Sequence, residues 1–153
     1  MAESEFVYVT YIRTTPEKLW QALTEPEFTR QFWAGTIQEC DWKVGSPWKI
    51  VVPDGRVADS GEVIEIDPPR KLLLTWQNHL FPDANAEGFS RLTYEIEPVG
   101  SLVKLTVSHT MGKKESTLIK KVSNGWPHLL SSLKSLLETG RALEGSDRWP
   151  EGI

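Results

Sequence analysis

Four side chains in this sequence carry imidazole or thiol chemistry: His79, His109, His128 and the single cysteine Cys40. A histidine titrates near neutrality, so a pocket histidine can orient a ligand or move a proton. His109 is the first to weigh. It shares strand parity with Val103, Leu105 and Val107, so it should face inward near a strand end. Its plainer role is that of a hydrogen-bonded structural residue, which makes it a weak candidate for catalysis. His79 falls in a loop after Trp76, either at a pocket mouth or simply solvated. His128 belongs on a helix surface. No spacing such as C-x-x-C or H-x-x-x-H links these four, so neither a metal site nor a bound cofactor is expected. No G-x-S-x-G or phosphate-loop pattern occurs either.

The more unusual resource is aromatic. Seven tryptophans lie along 153 residues: Trp20, Trp33, Trp42, Trp48, Trp76, Trp126 and Trp149. Such rings fill a core or wall a cavity for a flat, apolar ligand. Strand parity turns Trp48 and Trp76 inward, and Tyr94 likewise with Leu92 and Ile96. Trp33 ends a short helix, and Trp126 and Leu130 open the apolar face of a long one. The expected ligand-contacting set is therefore Trp33, Trp48, Trp76, Tyr94, His109, Trp126 and Leu130.

The elements that must position these residues follow from periodicity. Phe6 to Arg13 reads as a strand rich in Val, Tyr and Thr. Thr15-Pro16 starts a first short helix and Pro26 a second, which Gly35 ends. Strands follow at 37–40, 48–52, 60–66, 71–78, 90–97 and 103–110, punctuated by Pro53-Asp54-Gly55, Asp67-Pro68-Pro69, a loop over 79–89, and Pro98 to Ser101. The stretch Leu118 to Leu137 has apolar residues on one helical face. Pro127 removes a helical hydrogen bond, so that helix is expected to restart near Asn124, with a kinked continuous helix as the second option. A run of strands followed by a long helix is an α+β pattern.

Bulk properties bound the function. Hydrophobic content of 39% and charged content of 25% suit one soluble domain with a substantial core. A net charge of −4 without a basic run argues against nucleic-acid binding. No apolar run approaches a membrane span, no signal peptide is evident, and a lone cysteine suits a cytoplasmic setting.

The ordered segments resemble a known family. They are T-x-P-x-x-x-W-x-A-L-T over Thr14 to Thr24, Gly61 to Arg70, Leu72 to Trp76, Thr93 to Pro98, Leu105 to His109, and Gly125-Trp126-Pro127 with Leu130 to Gly140. Together they look like the family of the activator of heat-shock-protein-90 ATPase, in its small bacterial single-domain branch. That family belongs to the START-like, helix-grip superfamily. The resemblance implies a curved antiparallel sheet of six or seven strands wrapped round the C-terminal helix, with two short helices closing one end. It implies one helix-grip domain over 1–143 and a polar tail over 144–153. Relatives in the superfamily bind hydrophobic small molecules, and a few catalyse cyclisation or dehydration. The founding activators use a separate N-terminal domain in chaperone binding, so this domain alone is not expected to bind a chaperone.

The leading expectation is a small-molecule-binding protein holding a hydrophobic or aromatic ligand between sheet and helix. The alternatives are a cyclase, dehydratase or hydrolase using His109, or a chaperone-associated interaction module. Exposed strand edges and surplus tryptophans such as Trp42 and Trp149 leave room for a homodimer.

Overall fold

A computed structural model describes residues 3–153. The alternating segments form seven strands: β1 (Ser4–Ile12), β2 (Ile37–Cys40), β3 (Pro47–Val51), β4 (Val57–Asp67), β5 (Lys71–Asn78), β6 (Ser90–Val99) and β7 (Leu102–Met111). All neighbours pair antiparallel in one sheet of order β1-β7-β6-β5-β4-β3-β2. Helices α1 (Pro16–Thr24) and α2 (Pro26–Phe32) follow β1, and the long helix α4 (Thr117–Thr139) follows β7. This is the expected α+β helix-grip arrangement, with the sheet at the upper end of the expected strand count.

Inward parity builds the core. Leu72, Leu74 and Trp76 of β5 alternate with half-buried residues, as do Val103, Leu105, Val107 and His109 of β7, while Leu92, Tyr94 and Ile96 of β6 alternate with exposed Arg91, half-buried Thr93 and exposed Glu95 and Glu97. Against this face α4 buries Leu118, Ile119, Trp126, Leu130, Leu133 and Leu136. Removing one such leucine to alanine costs roughly 2–5 kcal/mol, so this seam accounts for a large share of the fold's stability.

Curvature has a local cause at Gly61. A Cβ there would lie 1.8 Å from the Thr75 carbonyl oxygen on β5, which only glycine permits. The β4–β5 register slips between Val63 and Glu65 just beyond it. A slip of this kind bends and twists a strand.

Three expectations need correction. The helix does not restart at Asn124: α4 runs without interruption from Thr117, capped by Ser116, through Pro127. Proline removes one helical hydrogen bond and crowds the preceding turn, a local cost set against the burial of Trp126, Leu130 and Leu133 around it. Here Leu118 and Ile119 are buried, and the first turn is tied down from outside the helix. The Glu87 side chain, from the loop before β6, accepts from Ser116 Oγ at 2.6 Å, Thr117 N at 2.7 Å and Leu118 N at 3.1 Å. Burial pushes the Glu87 carboxyl up, but those bonds and one from Lys113 outweigh it and hold it below the usual range. The 79–89 loop is also not structureless, since Pro82–Asn85 forms a helical turn, α3. Finally, β4 begins at Val57 rather than Ser60, because Val52 N bonds Arg56 O and closes the 53–55 turn earlier.

The segment expected as a polar tail folds back onto the chain. Ser146 is buried, its Oγ accepts from Ser132 Oγ at 2.8 Å, and its carbonyl accepts from Ala34 N at 2.6 Å. The path lies close over Gly35 (φ +74°), where a Cβ would meet Asp147 O at 2.9 Å.

Candidate functional site

A cavity of about 280 Å³ lies between α4, the β4–β5 end of the sheet, α2 and the C-terminal segment. Its apolar walls are Trp33, Trp76, Trp126 and Trp149, with Phe81, Leu118, Val122 and Leu129. Each wall has a sequence origin. Trp76 is an inward β5 residue, Trp33 caps the C-terminus of α2, and Trp126 follows Gly125, whose missing side chain leaves that side of α4 open. The rings brace one another: Trp33 stacks on Trp76 at 6.3 Å between centroids and meets Trp126 edge-on at 5.6 Å.

Polar groups at the cavity come from the β4 and β5 ends. Asp59 and Asn78 are opposite each other across the ladder, and both are at least nine-tenths buried. Asn78 Nδ2 donates to Asp59 Oδ1 at 2.9 Å. Burial raises the Asp59 pKa to about 6, against the opposing pull of Asn78 and of the nearby Trp76 indole. Among the described residues the buried Trp76 Nε1–H has no acceptor at hydrogen-bond geometry. On the α4 side, Lys121 also lines the cavity, with its ammonium 4.1 Å from the centre of the Phe81 ring.

Of the residues expected from sequence to touch a ligand, Trp33, Trp76 and Trp126 border the cavity directly. Trp48, Tyr94, His109 and Leu130 lie behind that wall, each 0–1% exposed. Trp48 packs on Trp76 at 4.9 Å and donates its indole N–H to Gln38, and Tyr94 meets Trp126 edge-on at 6.1 Å. His109 is held at both nitrogens. The Trp126 Nε1–H donates to its Nδ1 at 3.2 Å. That bond requires Nδ1 to be bare, so the proton of the neutral ring sits on Nε2 and is donated to Ser90 Oγ at 2.8 Å. Ser90 in turn donates to the Trp76 carbonyl at 3.0 Å. Burial pushes the His109 pKa down to about 3, so the ring is neutral at physiological pH. His79 is exposed and bonds Ser60 at 2.6 Å, and His128 is exposed. Among the described residues no group of three or more His, Cys, Asp or Glu is placed to hold a metal ion.

Asp59, Asn78, Lys121 and Trp149 also line the cavity and are not in the ligand-contacting set expected from sequence, which gave Trp149 a place only at a homodimer contact. Asn78 continues the inward parity of Leu72, Leu74 and Trp76, and Asp59 is two residues before Gly61 on the face shared with Ile50. That parity was a usable signal. The early start of β4 hid it for Asp59.

Solved structures resemble this chain over most of its length. A crystallised protein from Mesorhizobium loti is 25% identical (TM-score 0.74), covering 88% of this chain and 96% of that one. An Hsp90 activator from Plasmodium falciparum is 26% identical (TM-score 0.70), covering 87% and 95%. The Aha1 dimer from Colwellia psychrerythraea is 19% identical (TM-score 0.73), covering 91% and 99%, a likeness of fold. No protein of curated function matches the chain. Among the described residues no helix is long and apolar enough to cross a membrane. The family model for activator of Hsp90 ATPase homolog 1-like protein matches residues 13–138, from the end of β1 to the last turn of α4, and the chain belongs to that family.

Proposed function

We propose that this protein binds a small hydrophobic or aromatic molecule in the cavity between α4 and the sheet, and holds it without transforming it. The observation that carries this reading is the convergence of Trp33, Trp76 and Trp126 on one opening, with a buried polar pair, Asp59 and Asn78, at the same cavity. Apolar walls with a few placed polar groups are the usual make-up of a ligand site, and about 280 Å³ falls just below the roughly 300–1,000 Å³ such sites span, which suits a small ligand. An enzyme reading built on His109 draws no support from the geometry, since both ring nitrogens are engaged by protein groups. The test is a panel of small apolar compounds read by tryptophan emission and melting temperature. Binding that quenches emission and raises the melting temperature supports the reading, and a panel without effect sinks it.

A second reading is a chaperone-associated module. It rests on the likeness to the Plasmodium falciparum protein, whose chain this one covers almost entirely. The surface it would use is the outer face of the edge strand β1, where Val7, Val9 and Tyr11 are 44–50% exposed. An edge strand with apolar outward residues is open to pairing with another chain. Sedimentation of the protein alone and mixed with a purified Hsp90 chaperone separates the outcomes. A heterocomplex lost in Val9→Lys supports this reading, while a homodimer lost in the same variant would assign the strand to self-association instead.

A further inference from the structure

One feature of the cavity remains unexplained by an apolar ligand alone. Asp59 is 8% exposed and forms no ion pair among the described residues, and its only hydrogen bond there comes from Asn78 to Oδ1. The buried Trp76 indole lies beside it. Burying a carboxyl this way is costly unless something completes it. The neighbours provided are donors rather than acceptors: the Asn78 amide by hydrogen bond, and the Trp76 indole by proximity. Both favour the ionised carboxylate. A ligand group that completes the pair must therefore bring hydrogen of its own, and positive charge would match the carboxylate best.

The surrounding rings favour the same charge. Trp33, Trp76, Trp126, Trp149 and Phe81 present aromatic surface to this one space. The ring faces carry negative quadrupole charge and attract a desolvated cation. Phe81 already carries a cation on its ring, the solvent-exposed Lys121 ammonium at 4.1 Å. A phosphate or carboxylate ligand would have to face Asp59 across a low-dielectric space, with Lys121 as the single cation among the cavity residues.

Resting on the binding function proposed above, we infer that the ligand is an organic cation, an apolar or aromatic molecule carrying an amine or quaternary ammonium group, with its positive end at Asp59 among the tryptophan rings. The carboxylate supplies the charge and the cage supplies the apolar contact. The unpaired Asp59 is then a group completed by its ligand.

A matched series of probes tests this on the full chain at pH 7.5: 2-phenylethylammonium, its trimethylammonium counterpart, neutral 2-phenylethanol and anionic 3-phenylpropionate. Affinities are read by calorimetry and tryptophan emission. Both cations should bind at least about tenfold more tightly than the alcohol, and 3-phenylpropionate most weakly. In Asp59→Asn, verified as folded by its melting curve, the advantage of the cations over the alcohol should vanish. The wild-type series decides the matter even if the variant does not fold. Equal or tighter binding of the alcohol or the acid overturns the inference and leaves the apolar-ligand reading standing, as does a cation preference that survives Asp59→Asn. If none of the four probes binds, both readings fall together.

Discussion

The indole N–H of Trp126 on α4 donates to Nδ1 of His109 on β7 at 3.2 Å, joining the gripped helix to the sheet by a buried polar bond. The chain of bonds continues through Ser90 Oγ to the Trp76 carbonyl, so two of the cavity's tryptophans are positioned by one neutral histidine. His109 thus acts on the cavity indirectly, by orienting its walls. In His109→Ala the Trp126 N–H and the Ser90 hydroxyl lose their partner and a void opens beside Trp76. Urea unfolding should show a loss of about 3 kcal/mol. His109→Gln, which restores an acceptor and a donor, should recover part of it. A variant as stable as the parent would contradict the structural role.

The pH dependence of stability should carry two opposed slopes. The folded-state pKa of His109 is pushed down to about 3 by burial, so between there and its ordinary value near 6.5 the unfolded chain binds more protons and stability rises with pH. Asp59 is pushed up to about 6 from 3.8, so over that interval the folded chain binds more protons and stability falls as pH rises. The wild-type stability should therefore be nearly flat from about pH 4 to 6. Asp59→Asn removes the falling slope. It should leave a rising one and gain on the order of 3 kcal/mol above pH 6, the free-energy equivalent of the Asp59 shift. Chemical denaturation at half-unit pH steps checks both, and an unchanged profile in the variant would refute the assignment of Asp59.

Glu87 caps α4 from another element, so its loss should be felt as fraying of the first turn of that helix. Glu87→Ala should lower stability by about 1–2 kcal/mol, within the range of strong N-caps. Its folded carboxyl is held below the ordinary range, so its contribution is present above the unfolded pKa and lost as pH falls through the lower folded value. Hydrogen exchange at Leu118 and Ile119 should speed up in the variant while exchange at Leu133 stays slow.

Gly61→Ala should be among the more damaging single-methyl changes in the protein. The added Cβ would meet Thr75 backbone, which cannot turn aside as a flexible side chain can. A loss of about 2 kcal/mol or more is expected, together with weaker probe binding as the β4–β5 curvature relaxes. Thermal melting and probe titration read the two effects separately.

Trp149 tests whether the docked C-terminal segment belongs to the site. It is half-buried at the cavity, and its indole N–H bonds the Ile153 carbonyl at 3.0 Å. Trp149→Ala should reduce probe affinity about tenfold, equivalent to about 1.4 kcal/mol. The melting temperature should shift little, because the ring lies outside the fully buried core. Unchanged affinity would show that the segment only covers the cavity.

Much of this protein was determined by local pattern. Alternation in Leu72, Leu74 and Trp76, in Leu92, Tyr94 and Ile96, and in Val103 to His109 specified which face of the sheet is buried, because side chains on a strand alternate with period two. The three- and four-residue spacing from Val122 to Leu137 specified the gripped helix for the same kind of reason. Parity separates inside from outside but carries no measure of depth. Only tertiary packing decided that Trp33, Trp76 and Trp126 reach the cavity while Trp48, Tyr94, His109 and Leu130 stop behind it. Long-range partners are equally invisible along the chain. Glu87 lies 30 residues from the Thr117 amide it caps. Burial of Trp126, Leu130 and Leu133 likewise comes from the assembled core, and α4 stays helical through Pro127, where local propensity alone calls for a break. Asp59 became a buried carboxyl when the ladder set it opposite Asn78 and the tryptophans closed around it, because desolvation belongs to an assembled cavity rather than to a residue type.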